Sequence, residues 1–277
     1  MKQYVELGKR ILREGELRHD RTGVGTLSVF DAHMEFDLRE RFPLVTVKET
    51  RWKTAFLEML WFLRGERYTD YLRKHGCKLW DAWADGNGRV GPIYGVQWRQ
   101  WEYFTGEFEP IEEHIDQVDI LIDGLKNNPH GRRHLVSAWN VSELNDMALP
   151  PCHWAHQCYV SNDGHLDLKL FLRSSDFALG LPFNIAQYAL LTHLYARAAG
   201  LKARRLTVDI GDAHIYTNHA DAMREVLERP SLAYWKLDVP TTLQINTNNT
   251  DIDGYKPEDF EIVGYEHHDH VALPVAV

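Results

Sequence analysis

The stretch that most constrains this chain is residues 149–184, LPPCHWAHQCYVSNDGHLDLKLFLRSSDFALGLPFN. Asn162-Asp163-Gly164 is a hairpin-turn signal between two strand-like runs. In HLDLKLFLR, period-two alternation puts Leu166, Leu168, Leu170 and Leu172 on one face and Lys169, Phe171 and Arg173 on the other. In HWAHQCYV the same parity groups Trp154, His156 and Cys158 against His153, Ala155, Gln157 and Tyr159. A strong helix follows from Pro182 to about Gly200, with proline in its first turn. The stretch also holds a thiol after Pro150-Pro151, an Arg-Ser-Ser-Asp cluster and a carboxamide, all within one hairpin and its exit.

The flanks supply both element types. Tyr4, Leu7, Ile11 and Leu12 predict a first helix over 2–14, and LSVFDAHMEFDL a strand. Thr50 is placed to cap a helix through WKTAFLEMLWFLRG, whose apolar residues run almost all round and predict burial. Residues 76–101, rich in Trp and Gly, read as pocket-lining loop, and 111–129 as an amphipathic helix stopped at Asn128-Pro129. Arg132-Arg133 precedes a short strand, and further strand, helix and strand signals follow at 206–219, 221–230 and 241–248. Without repeats or linker composition, the expectation is one α+β domain over residues 1–277.

Composition narrows the function. A net charge of −9 argues against binding a nucleic acid backbone, so no DNA partner is expected. No run reaches the length of a membrane span and the N-terminus lacks a signal-peptide core, so a cytoplasmic, membrane-free protein is expected. The three cysteines, Cys77, Cys152 and Cys158, suit a reducing compartment and leave a thiol for chemistry.

Several groups carry two readings each. Cys152 is a thiolate nucleophile favoured by nearby arginines, or an inert buried cysteine. Arg21, Arg132, Arg133 and Arg173 converge on a phosphate, or make separate surface ion pairs. Glu58, surrounded by Phe56, Leu57, Met59, Leu60 and Trp61, is a buried carboxyl with a raised pKa suited to proton transfer, or a carboxylate reaching water. Asn184 caps the helix, or reads the O4/N3–H edge of uracil. Trp80 and Trp83 stack on a flat heterocycle, or belong to the core. Cys152, His153, His156 and Cys158 match no common zinc spacing, and strand parity sends the two histidines to opposite faces, so no metal is expected.

Along nearly its whole length the chain resembles the thymidylate synthase family. The segments that carry the likeness are DRTGVGTLSVF, FPLVTVK, LEMLWFLRG, LWDAWAD, GPIYGVQWR, RRHLVSAWN, MALPPCHW, RSSDFALGLPFNIAQYALL, GDAHIYTNH and the PVAV terminus. The resemblance implies an α+β fold whose large twisted mixed sheet, flanked by helices, forms a homodimer interface. It implies reductive methylation of dUMP to dTMP by 5,10-methylenetetrahydrofolate, without a metal. Cys152 would be the nucleophile, with Glu58, Tyr94, Asn184 and His153 also catalytic. Arg21, Arg173, Ser174 and Asp176, with His214 and Tyr216 on the deoxyribose, would bind substrate. Arg132 and Arg133 would reach over from the second subunit. Lys48, Leu79, Trp80, Trp83, Leu149, Asp176, Leu179, Gly180, Phe183 and Val277 would hold the folate.

The chain departs from the family pattern beside the nucleophile, at Trp154 to Cys158, Phe171-Leu172 and Phe177-Ala178, and at Glu49. Trp154 with Ala155, and Phe177 with Ala178, read as large/small swaps that conserve core volume. The other reading is that a polar His156, with Leu172 where the resemblance implies a glutamine, repositions water, giving the alternative activity, folate-dependent hydroxymethylation of dUMP. A catalytically silent binder of RNA or a partner is disfavoured by the acidic charge and the intact Cys152 set.

Overall fold

The computed structural model describes residues 1–103, 114–230 and 240–275. Helix α1 (Lys2–Glu14) buries Tyr4, Leu7 and Ile11 along one stripe, as their spacing predicts. Strands β1 (Glu16–Arg18) and β2 (Thr26–Asp37) follow, then α2 (Trp52–Leu63), buried from Ala55 to Leu63. Thr50 does not cap α2. The N-cap is Arg51, the Thr50 N–H donates to Tyr265 Oη, and Thr50 Oγ1 is buried without a partner among the described residues.

After α3 (Asp70–Lys74) comes a helix where loop was expected, α4 (Tyr94–Arg99). Its close approach to α2 is the reason a glycine stands there: a Cβ on Gly95 would lie 2.0 Å from the Phe62 carbonyl oxygen. Strands β3 (Trp101–Glu102) and β4 (His114–Ile115) form a small ribbon, and α5 (Gln117–Asn127) starts at Asp116, whose carboxylate accepts the Val118 and Asp119 N–H groups. The helix is therefore shorter than its periodicity suggests. It stops at Asn128 as predicted.

The remaining elements are β5 (Leu135–Ser137), β6 (His153–Val160), β7 (His165–Asp176), α6 (Gly180–Ala199), β8 (Lys202–Tyr216), α7 (Ala220–Glu228), β9 (Thr242–Ile245) and β10 (Phe260–Val263). Six strands form one mixed sheet in the order β1-β2-β8-β7-β6-β5. β6 and β7 are the predicted hairpin, and α6 is the crossover that lets β8 run parallel to β7. The four leucines of β7 are buried against α6, while Lys169 and Phe171 stay partly open on the far face. Mixed sheet with flanking helices is the expected α+β class.

Strand parity fails in β6. A register shift lies between His153 and Ala155, as an extra residue in one strand produces. His153 and His156 consequently both face the core, at 4% and 0% exposure, and Trp154 points outward at 37%. Trp154 packs on Phe171 across the outer face, so its bulk is not exchanged for core volume. Phe177 and Ala178 are fully buried, and Phe177 stacks on Tyr4 at 4.2 Å.

Candidate active site

Cys152 sits between Pro151 and the start of β6. Its N–H donates to Tyr94 Oη at 3.0 Å, and its carbonyl accepts the Arg173 N–H at 2.9 Å. Arg173 also closes on the turn itself. Its Nε donates to the Pro151 carbonyl and its Nη2 to the Pro150 carbonyl, each at 2.9 Å, leaving Nη2 3.9 Å from Cys152 Sγ. The guanidinium lies over the Trp139 ring. A thiolate favoured by arginine was expected, but the balance falls the other way. Burial raises the Cys152 pKa, and Arg173, the Tyr94 hydroxyl and Arg21 only partly offset it. The group therefore rests as a thiol.

Behind the thiol, Tyr94 is stacked on His153 at 3.8 Å, and His153 Nδ1 is 2.8 Å from Tyr188 Oη. Burial, with a contribution from His156, pushes the His153 pKa down to about 3, so the ring is neutral and braces Tyr94. His156 is enclosed by Trp98, Tyr188 and Tyr195, with Nε2 3.1 Å from Tyr195 Oη and Nδ1 unpartnered among the described residues.

The second cluster is organised by Glu58. Trp80 Nε1 donates to one carboxyl oxygen at 2.5 Å and Gln187 Nε2 to the other at 2.6 Å. Burial raises the Glu58 pKa to about 7, against the pull of those two hydrogen bonds. Asn184 Nδ2 donates to Gln187 Oε1 at 3.3 Å. Helix α6 begins at Gly180, so Asn184 lies inside it and does not cap it. Asp176 Oδ1 instead accepts the Ala178 and Leu179 N–H groups before the first turn. Gln187 was not foreseen. Its signal in the sequence was the three-residue step from Asn184 on a helix.

Two of the four arginines come together. Arg21 stands on the loop after β1, braced by Asp20, which accepts the Thr22 hydroxyl at 2.6 Å and the Gly25 N–H at 2.9 Å. The charges of Arg21 and Arg173 both act on Cys152. Ser174 pairs with Asp212 across β7 and β8, and Asp176 with His214, whose Nδ1 is 3.0 Å from Asp212 Oδ1. Tyr216 meets His214 edge-on at 5.3 Å, and its pKa is pushed up to about 12, first by burial and then by Asp176 and Asp20. Arg132 and Arg133 are exposed at the other end of the sheet. The neighbouring His134 carbonyl accepts the Cys158 N–H. Six residues along a strand separate that point from Cys152, roughly 20 Å. A four-arginine cluster is therefore not formed within one chain, because β5 runs antiparallel to β6 and places the pair far from the thiol.

The aromatic wall is in place. Trp83 meets Trp80 edge-on at 5.7 Å, and its Nε1 is buried without a partner among the described residues. Leu79 is exposed, and Leu149, Leu179 and Phe183 are partly so. Lys48 is buried. Burial lowers its pKa to about 8, with Asp176 and Glu49 acting in the opposite sense. Gly180 leaves open the space beside Asp176. An unpaired indole N–H, a buried ammonium and open apolar edges suit a flat ring with a polar rim. Val277 lies outside the described residues, but the tail is held at Pro274, whose carbonyl is 2.7 Å from His219 Nε2. Among the described residues no three His, Cys, Asp or Glu side chains group as for a metal, and no helix is long and apolar enough to cross a membrane. The shared face of His153 and His156 corrects one argument against a metal without supplying further ligands.

The thymidylate synthase family description matches residues 2–277, and the chain belongs to that family, whose chemistry is one-carbon transfer to C5 of dUMP with a reduced folate as co-substrate.

Proposed function

We propose that this chain catalyses the reductive methylation of dUMP to dTMP with 5,10-methylenetetrahydrofolate. The observation that carries the reading is the pairing of Cys152, pinned by Tyr94 and Arg173, with the Trp80–Glu58–Gln187–Asn184 hydrogen-bond chain. Arg21, Arg173 and Ser174 bind the phosphate, and His214 and Tyr216 the deoxyribose hydroxyl. Asn184 reads the uracil edge. Cys152 gives its thiol proton to water and adds through Sγ to C6; the C5–C6 π pair moves onto C5, conjugated with the C4 carbonyl, and makes C5 a carbon nucleophile. Glu58 holds a proton at a pKa near neutrality and can release or regain it through water. Tyr94 assists removal of the C5 proton.

The folate supplies the one-carbon unit and the hydride when bound. Trp80, Trp83, Leu79, Leu149 and Phe183 would hold its rings. Lys48, Asp176, Leu179, Gly180 and the tail with Val277 would close on its polar side and exclude water. The outer sheet face exposes Tyr159 at 62% and Leu135 at 45%, and Phe171 on β7 is partly open on the same face. A second copy covering this face would make the homodimer and bring its Arg132 and Arg133 to the phosphate. We place this single catalytic domain in the cytoplasm, where all three cysteines stay reduced.

Hydroxymethylation would need a polar group that steers water to the reacting carbon. His156 offers none, since it is enclosed by Trp98, Tyr188 and Tyr195. The test is to incubate the protein with dUMP and methylenetetrahydrofolate and identify both products. Dihydrofolate with dTMP is expected. Tetrahydrofolate with 5-hydroxymethyl-dUMP would overturn the reading, as would the absence of turnover.

A further inference from the structure

We propose that Gln187 is a positioning residue that locks the Asn184 amide in the orientation that accepts a 4-oxo pyrimidine and rejects a 4-amino one. The inference rests on the reading of Asn184 as the group that meets the base edge. It follows from which atoms along the chain can donate.

Gln187 is 1% exposed, and its Nε2 lies 2.6 Å from Glu58 Oε2 and 3.3 Å from the Ala55 carbonyl oxygen. A backbone carbonyl only accepts, so the nitrogen of Gln187 must face it. The requirement holds at any pH, because Ala55 does not titrate. With Nε2 committed, Oε1 is turned toward Asn184, 3.3 Å from its Nδ2. Rotating the Asn184 amide by half a turn would set its oxygen against Gln187 Oε1. Two acceptors, one of them fully buried, would then face each other without a proton between them.

The base edge makes this orientation decisive. Uracil offers an acceptor at O4 and a donor at N3–H. Cytosine offers a donor at its 4-amino group and an acceptor at N3. An asparagine amide free to rotate can satisfy either edge, because the rotation exchanges its donor and acceptor. Fixed in one orientation, it satisfies uracil and meets cytosine donor to donor and acceptor to acceptor. Gln187 therefore supplies the selectivity that Asn184 alone lacks. Helix α6 puts the two side chains three residues apart on one face, and α2 contributes the anchoring Ala55 carbonyl.

The experiment measures binding of dUMP and dCMP to the full chain by titration calorimetry, with wild type and Gln187→Met. Gln187→Leu serves as a second variant, and circular dichroism checks that each is folded. Wild type should prefer dUMP, and the variants should lose about tenfold of that preference as dCMP binding improves relative to dUMP. An unchanged ratio in a folded variant, whether or not both affinities fall together, would reduce Gln187 to a packing role and overturn the proposal. Wild type that binds neither nucleotide, or does not distinguish them, would instead overturn the base-reading role of Asn184 and this inference with it.

Discussion

Glu58→Gln is the substitution that tests most sharply whether the interior carboxyl is tuned as described. Burial raises the Glu58 pKa from 4.5 to about 7. The protonated form is thus favoured in the fold. Its stabilising contribution is complete below the unfolded value of 4.5 and is lost as pH rises through about 7. A shift of that size corresponds to about 3 kcal/mol between the acidic and alkaline limits. A glutamine at this position does not titrate. It also sets an amide nitrogen against one of the two donors, Trp80 Nε1 or Gln187 Nε2, where a carboxyl oxygen had accepted, a cost of about 1–3 kcal/mol that is the same at every pH. The informative quantity is therefore the change with pH in the stability difference between variant and wild type. For 277 residues the unfolding entropy is about 0.6 kcal/mol per degree, so the Tm of the variant should gain roughly 6 °C on wild type between about pH 4 and pH 8. Calorimetry of both proteins across that range measures it directly. A Tm difference that stays constant would refute the raised pKa and, with it, the proton-transfer role given to Glu58.

The other expectations concern the nucleophile, the packing and the second subunit. Cys152→Ala should abolish covalent capture of 5-fluoro-dUMP in intact-mass spectra and leave the circular dichroism spectrum unchanged; a persisting adduct would move the nucleophile elsewhere. Gly8→Ala places a Cβ 2.4 Å from Phe177 Cζ and 2.7 Å from Leu227 Cδ1, so it should destabilise by about 1–3 kcal/mol in chemical denaturation. Light scattering should give twice the 32.2 kDa chain mass, and Arg133→Ala should weaken dUMP binding although its own chain holds it far from Cys152. A monomer with full dUMP affinity would contradict the donated arginines.

The parts of the fold that sequence made legible are those where one face decides the outcome. The leucines of β7, the stripe of α1 and the all-round apolar α2 are buried as their periodicities require, because burial of those side chains dominates local propensity. The turn at Gly164 is equally local, with a φ of 77° that glycine adopts freely. Long-range contacts were not legible. The shift between His153 and Ala155 moves Trp154 out and His156 in, and no periodicity announces a bulge. The rise in the Cys152 pKa depends on burial by distant elements, and counting nearby arginines cannot give it. Gln187 stayed hidden for the same reason, since its partners, Glu58 and Ala55, come from a helix more than a hundred residues earlier. The asparagine itself was legible, but what orients it was not.

In the proposed reaction the one-carbon unit leaves this site as a methyl group, reduced by hydride and not captured by water. The most direct measurement is mass spectrometry of the nucleotide product formed in oxygen-18 water, using a folate deuterated at the ring carbon that gives up hydride. The expected product is dTMP that carries deuterium in its methyl group and no oxygen-18 beyond the starting nucleotide. A 5-hydroxymethyl product labelled with oxygen-18 and free of deuterium would contradict it.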